Sequence, residues 1–259
     1  MNAPKRSAPS RREKGPLMRL LLALANATIV MVLVLLSVGT YVYLKVSPLF
    51  LVKEVSVTGD KVLTKDEIIL QSGITMGDNA IFLEAEGAEQ RIRMMPYVKS
   101  CQVERMFPDL VAITIEERVA VATLEVDKHF FELDDSGIVL REINPGMPSV
   151  GALITNVPDL GHVKPGQKLS QHSLYKALSV WKAFSNEPMG KEIIVSEISA
   201  AKENDILMFC NEIPFEIRWG RGDIETQAKR LDYLWHTKGT QLACTEYLDL
   251  RFDKDLACK

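Results

Sequence analysis

Four histidines, four cysteines and a few acidic pairs are the residues of this 259-residue chain whose types could do chemistry. His129, His162, His172 and His236 stand without an acidic or cysteine neighbour at metal-ligand spacing, and no H-E-x-x-H occurs. They are read as solvated or hydrogen-bonded surface groups. Serine chemistry has no framework either, because there is neither a G-x-S-x-G elbow nor an S-x-x-K with its companion motifs. The adjacent carboxylates Glu116 and Glu117 lie in an alternating segment, where neighbours point to opposite faces and cannot share a substrate. Asp134 and Asp135 precede Ser136-Gly137 in a turn and are expected to be solvated.

Gly220-Arg221-Gly222 begins like a dinucleotide fingerprint, but Glu225 stands where the third glycine belongs. Asp223 reads as the N-cap of a following helix, with the glycines as its turn. Cys101, Cys210, Cys244 and Cys258 contain no C-x-x-C pair, which argues against zinc and redox catalysis. Cys101 falls mid-strand as a small apolar residue; an even count leaves three full pairings open in an oxidising compartment. The chemistry-bearing residues therefore define no enzyme, and neither cofactor nor metal is expected.

The elements that must carry these residues begin with an anchor. Leu20 to Leu44 is a run of 25 residues without a charge. As a helix it would extend about 37 Å, enough to cross a hydrocarbon core of about 30 Å. Signal-sequence cores are shorter and end in a small-x-small site, so this run is read as an uncleaved span. Tyr41 and Tyr43 mark its outer end. Lys5, Arg6, Arg11, Arg12, Lys14 and Arg19 face a single Glu13 in residues 1–19, a basic tail that the positive-inside rule assigns to the cytoplasm. The overall charge of −3 therefore leaves the rest of the chain acidic, which excludes a nucleic-acid surface on the folded part.

Beyond the span, strand and helix periodicities alternate, giving an α+β fold. Val52–Thr58 reads as a strand. Thr64-Lys65-Asp66-Glu67 has the S/T-x-x-E capping pattern and opens a short helix ending at Gly73. A second helix covers Ala85–Met94, and Tyr97–Arg105 with Leu110–Glu117 form a hairpin about Phe107-Pro108-Asp109. The remainder is strand-rich: Val119–Val126, Phe130–Leu133, Ile138–Arg141, Ala152–Thr155, Glu192–Ile198, Asp205–Cys210 and Ile213–Trp219. Helices are expected over Ser170–Asn186 and after Asp223. The last strand, Tyr247–Phe252, places Leu248, Leu250 and Phe252 inward and Tyr247, Asp249 and Arg251 outward.

The β-α-α-β-β segment resembles a POTRA domain. The resemblance rests on Val55-Ser56-Val57-Thr58-Gly59, Gly77-Asp78-Asn79-Ala80-Ile81-Phe82 and Pro96-Tyr97-Val98. Arg105-Met106-Phe107-Pro108-Asp109-Leu110 and Ile113-Thr114-Ile115-Glu116-Glu117-Arg118 complete it. Further on, Trp219-Gly220-Arg221-Gly222-Asp223 looks like a hydrophobic-G-R-G-D turn, and Tyr247-Leu248-Asp249-Leu250-Arg251-Phe252 like a Y-h-D-L-R-Y strand. Both are features of the FtsQ/DivIB family of bacterial cell division proteins, which the chain resembles from Leu20 onward. Phe252 stands where that family has tyrosine.

The resemblance implies four parts: a basic tail over 1–19, a transmembrane helix over 20–44, a POTRA domain over 50–118, and a β domain over 119–259 of antiparallel or mixed sheet with flanking helices. It also implies a non-catalytic scaffold in the inner membrane at the division septum, with its bulk periplasmic. Its partners would be the bitopic proteins FtsB and FtsL, added as a strand to the C-terminal sheet edge, besides the lipid bilayer. On this resemblance Tyr247, Arg251 and Phe252 form the contact region, and Leu256, Ala257 and Cys258 the edge strand. Arg251 would pair with a partner carboxylate. The alternatives are a POTRA-bearing component of polypeptide transport, or a membrane-tethered cell-wall hydrolase with two convergent carboxylates.

Overall fold

The computed structural model describes residues 15–144, 146–239, 244–252 and 257–259. The expected tail residues Lys5, Arg6, Arg11, Arg12, Glu13 and Lys14, and the edge residue Leu256, lie outside them. The chain divides into two compact units. One runs through Glu54 and includes Thr75–Leu83 and Arg105–Val111; the other holds Val55–Ile74, Glu84–Glu104 and Ala112–Lys259.

The first unit is built on helix α1, Pro16–Val46, with Pro16 at the start, where a missing N–H costs nothing. It exceeds the uncharged run at both ends, because backbone groups near a bilayer stay paired until the chain reaches water. From Leu17 to Tyr43 its side chains are exposed and apolar nearly all round, as expected of a span. After the helix, Ser47 caps a single 3-10 turn over Pro48–Phe50. The Asn79 side-chain amide donates to the carbonyls of Leu44 (2.8 Å) and Lys45 (3.1 Å), taking up acceptors that the helix end leaves open. Backbone bonds from Val52 to Asp78 and from Gly77 to Val52 hold the same two segments together.

Strand β1 (Glu54–Thr58) leads to helix α2 (Lys65–Ser72). The full capping box at Thr64 and Glu67 is formed, and Gly73 closes α2 in the left-handed conformation at φ 68°. Helix α3 (Ala85–Arg93) buries Ala88 and Ile92, and strands β2 (Val98–Met106) and β3 (Leu110–Glu117) follow. The sheet order is β1-β3-β2, so β3 is central. Its Val111, Ile113 and Ile115 are buried, as period-two alternation requires. Gly59 is obligatory here: its φ is +90°, and a Cβ would lie 2.0 Å from the Ile115 carbonyl oxygen.

The remaining strands make one mixed sheet. They are β4 (Ala122–Val126), β5 (His129–Leu133), β6 (Val139–Ile143), β7 (Ala152–Thr155), β8 (Val195–Lys202), β9 (Asp205–Cys210), β10 (Glu216–Gly220), β11 (Tyr247–Asp249) and β12 (Ala257–Cys258). Their order is β12-β11-β10-β9-β8-β7-β4-β5-β6. β4–β7, β7–β8 and β10–β11 are parallel pairs, and the other described pairs are antiparallel. Helices α4 (His172–Asn186) and α5 (Ile224–Lys238) cover it. Leu174, Ala177, Leu178 and Phe184 of α4 and Ala228 and Leu231 of α5 join its core with Leu124, Ile154, Ile198, Met208, Ile217 and Trp219.

Four expectations need correction. The strand expected from Ile213 starts at Glu216, because Pro214 cannot donate to a ladder. The strand expected from Val119 starts at Ala122, and Val119 is exposed. The strand expected through Phe252 stops at Asp249, and Phe252 is 53% exposed rather than inward. Asp134 is buried rather than solvated. It takes Arg118 Nη1 at 2.8 Å and the amides of Ser136 and Ile138. A buried carboxylate needs those donors.

Candidate partner-binding edge

The C-terminal edge is assembled from β10 outward. β11 lies parallel to β10, with Ile217 beside Leu248 and Arg218 beside Asp249. β12 lies antiparallel to β11, with Leu248 beside Cys258 and Asp249 beside Ala257. Tyr247 and Lys259 exchange both backbone bonds, at 3.2 and 3.1 Å. In an antiparallel ladder the next residue turns its groups the other way, so the N–H and C=O of Cys258 face outward from the last strand of the sheet.

Two covalent or ionic ties fix this edge. A disulfide joins Cys258 to Cys244, on the segment just before β11, with Cα atoms 5.2 Å apart. Sequence left the pairing open; in the fold only these two sulfurs are bonded, while Cys101 and Cys210 are buried thiols. Burial pushes the Cys101 thiol up to about 11 and the Cys210 thiol up to about 12, so neither is a nucleophile at neutral pH.

The second tie is Arg251. Its Nε donates to both oxygens of Asp249 (2.9 and 3.1 Å), its Nη2 to Oδ2 (2.6 Å) and its Nη1 to Asp205 (2.9 Å) on β9. Burial would raise the Asp249 carboxyl, but the Arg251 hydrogen bonds and charge outweigh it and hold it below the usual carboxylate range. The same bonds raise Arg251. The guanidinium is thus a brace between β9 and the end of β11, engaged within its own chain rather than held open for a partner carboxylate.

Tyr247 is half-buried, with the Arg218 guanidinium over its ring at 4.0 Å from the centroid. Phe252 is exposed and apolar. Its carbonyl accepts from Arg230 Nη1 of α5 at 2.7 Å. Beside it a cavity of about 640 Å³ is lined by Lys202, Glu203, Asn204, Asp205, Arg221 and Arg251 as well as Phe252. Tyr247, Arg251, Phe252, Ala257 and Cys258 are therefore brought to one sheet end by β11 and β12.

The G-R-G-D turn supports this edge from below. A Cβ on Gly220 would lie 2.2 Å from the Asn204 carbonyl oxygen, and Gly222 has φ +91°. Asp223 accepts from the Thr226 amide at 3.0 Å and so occupies the start of α5. The turn is a packing and capping device.

Sequence reasoning missed a junction elsewhere in the same unit. Tyr97 donates to Glu132, which also receives Arg141 through Nε (3.0 Å) and Nη2 (2.7 Å). Burial first and the Glu132 bond second raise the Tyr97 phenol, so it stays protonated. Glu117 accepts the amides of Lys61, Val62 and Leu63 at 2.8–3.1 Å; burial raises its carboxyl, and these bonds bring it below the usual range. The buried carboxylates Glu132, Asp134 and Asp249 each face an arginine, an arrangement for bracing rather than for shared acid–base work.

An apolar helix long enough to span a bilayer, a β1-β3-β2 sheet carrying two helices, and a mixed sheet ending in a two-residue strand are the parts of an α+β chain with a POTRA domain. The FtsQ-type POTRA domain family matches residues 50–118. Over most of its length the chain is similar to cell division proteins FtsQ. It is 26% identical to that of Syntrophotalea carbinolica over 82% of this chain and 75% of the relative, and 24% identical to that of Geotalea daltonii over 85% and 80%. It is also 34% identical to the cell division protein DivIB of Bacillus subtilis over 44% of this chain and 43% of the relative. The resemblance to cell division proteins of the FtsQ/DivIB type therefore extends over most of the chain.

Proposed function

We propose that this chain is a non-catalytic, bitopic scaffold of the division machinery, and that β12 is where a partner strand adds. The supporting observation is the outward-facing N–H and C=O of Cys258 at the end of the sheet, held by the disulfide and flanked by the exposed Phe252 ring. Strand addition draws affinity from main-chain bonds and selectivity from neighbouring side chains. An edge strand is otherwise an aggregation liability, which a dedicated partner resolves. The partners on this reading are the small bitopic proteins FtsB and FtsL. Residues 1–19 form the cytoplasmic tail and α1 the anchor, with the POTRA domain and the β domain from 119 onward on the far side of the inner membrane at the septum.

The test is co-purification of the full-length chain with those two proteins. Phe252→Ala removes an exposed ring without touching the core and is expected to weaken capture at least about tenfold, as loss of an aromatic interface anchor does. Capture at the wild-type level by both Phe252→Ala and Tyr247→Ala overturns the proposed edge.

A further inference from the structure

Within the first unit, the ring of Phe82 meets the ring of Tyr41 edge to face, with centroids 5.6 Å apart. Tyr41 lies five residues before the end of α1, so this contact sits about 7.5 Å below the end of the helix. The 31 residues of α1 span about 46 Å, close to the 40–45 Å of a whole bilayer with its headgroups. A helix of that length, centred in the membrane, ends at the outer headgroup surface and carries Tyr41 at the boundary of headgroup and hydrocarbon. Phe82 reaches the same depth from a segment 41 residues further along the chain.

Its surroundings fit that level. The Asn79 amide bonds to the Leu44 and Lys45 carbonyls fix the loop of Phe82 against the helix end. Arg105 Nη1 donates to the Ile81 carbonyl at 3.0 Å, joining the hairpin turn to the same loop. Beyond Arg105, Met106 and Phe107 are 50% and 59% exposed, and Phe82 is 44% exposed. Large apolar side chains at turn tips cost solubility unless something covers them. Lys45 and Arg105 are exposed cations placed among them, the pairing of aromatic ring and cation that suits a phospholipid surface.

We propose that Phe82 and the Met106-Phe107 turn form an interfacial lip that inserts into the outer leaflet beside α1, with Lys45 and Arg105 at the phosphate level. The partner is the lipid bilayer. The chain is thus gripped by lipid at three separate stretches of sequence instead of one. This rests on α1 spanning the membrane.

The experiment uses the full-length chain in phospholipid nanodiscs, with bromine-labelled lipids as quenchers. Phe82→Trp and Phe107→Trp each add one indole to the three native tryptophans, whose emission is subtracted as baseline. The added emission is expected to be blue-shifted and quenched by more than about half by lipids brominated near the headgroup, where aromatic belts lie. Val34→Trp is expected to be quenched instead by lipids brominated near the chain ends. Unquenched emission from either Phe82→Trp or Phe107→Trp, with Val34→Trp quenched, overturns the lip and leaves the span. Unquenched emission from Val34→Trp overturns the span and the lip with it.

Discussion

Tyr97 donates its hydroxyl to the carboxylate of Glu132, 35 residues later in the chain, and both side chains are buried. Tyr97 immediately precedes β2 of the three-stranded sheet, whereas Glu132 sits on β5 of the nine-stranded one. The bond therefore joins two sheets, and Arg141 neutralises the acceptor from the adjoining strand. Arg118 and Asp134 make a second tie across the same junction, and the Arg118 amide donates to the Tyr97 carbonyl at 2.7 Å. A buried carboxylate with such donors is stable; one deprived of them is not.

Tyr97→Phe keeps the ring and deletes the donor. A hydrogen bond to a charged group contributes roughly 1.5–3 kcal/mol, and the Tyr97→Phe variant should lose about that much stability in chemical unfolding. Glu132→Ala leaves the Tyr97 hydroxyl buried without an acceptor and should lose more. A Tyr97→Phe unfolding curve coincident with wild type would show that the junction contributes nothing.

The acid limb of the stability curve should carry the signature of Asp249. Its carboxyl is held below the ordinary range in the fold, so its contribution is complete above the unfolded value near pH 3.9 and disappears as pH falls through the lower folded value. Unfolding midpoints measured from about pH 6 down to about pH 2 should therefore drop steeply below about pH 4 in wild type. Asp249→Asn should be less stable at neutral pH and should show a shallower acid loss.

Gly59→Ala tests the tightest approach in the three-stranded sheet. The added methyl meets the Ile115 carbonyl at 2.0 Å, in backbone that alanine adopts only with strain. Strain of this kind costs about 1–3 kcal/mol before any movement of β3. A thermal melt should fall by several degrees or the chain should fail to accumulate; a wild-type melt would mean that β3 yields freely.

Cys258→Ser removes the closure of a 14-residue separation. Loops of that size restrict the unfolded chain by about 3 kcal/mol. Hydrogen exchange at Tyr247 and Lys259 should accelerate in the variant, and in wild type after reduction, while the Trp219 region stays protected. Equal acceleration throughout would show that the bond supports the whole sheet rather than its end.

Much of this fold is legible in sequence where the determinants are local. The Thr64–Glu67 capping box lies within one helical turn, and β3 is written in the alternation of Val111, Ile113 and Ile115. What was not legible depends on partners far away in the chain. Asp134 reads as a solvated turn residue until Arg118 is brought beside it, and Arg251 reads as an outward group until Asp205, 46 residues away, is brought beside it. Phe252 follows the inward register only if the strand continues, and the strand ends first. The partner of Cys258 likewise depends on which segment β11 carries next to β12.

The Cys244–Cys258 bond also gives the edge a history. Disulfides persist in oxidising compartments and are rare in the reducing cytoplasm. On the proposed topology, a strand clasped in this way is completed only once the chain has crossed the membrane. A newly made copy would have its last strand unfastened and gain a competent edge only after crossing, so assembly would be timed by export as well as by the meeting of partners.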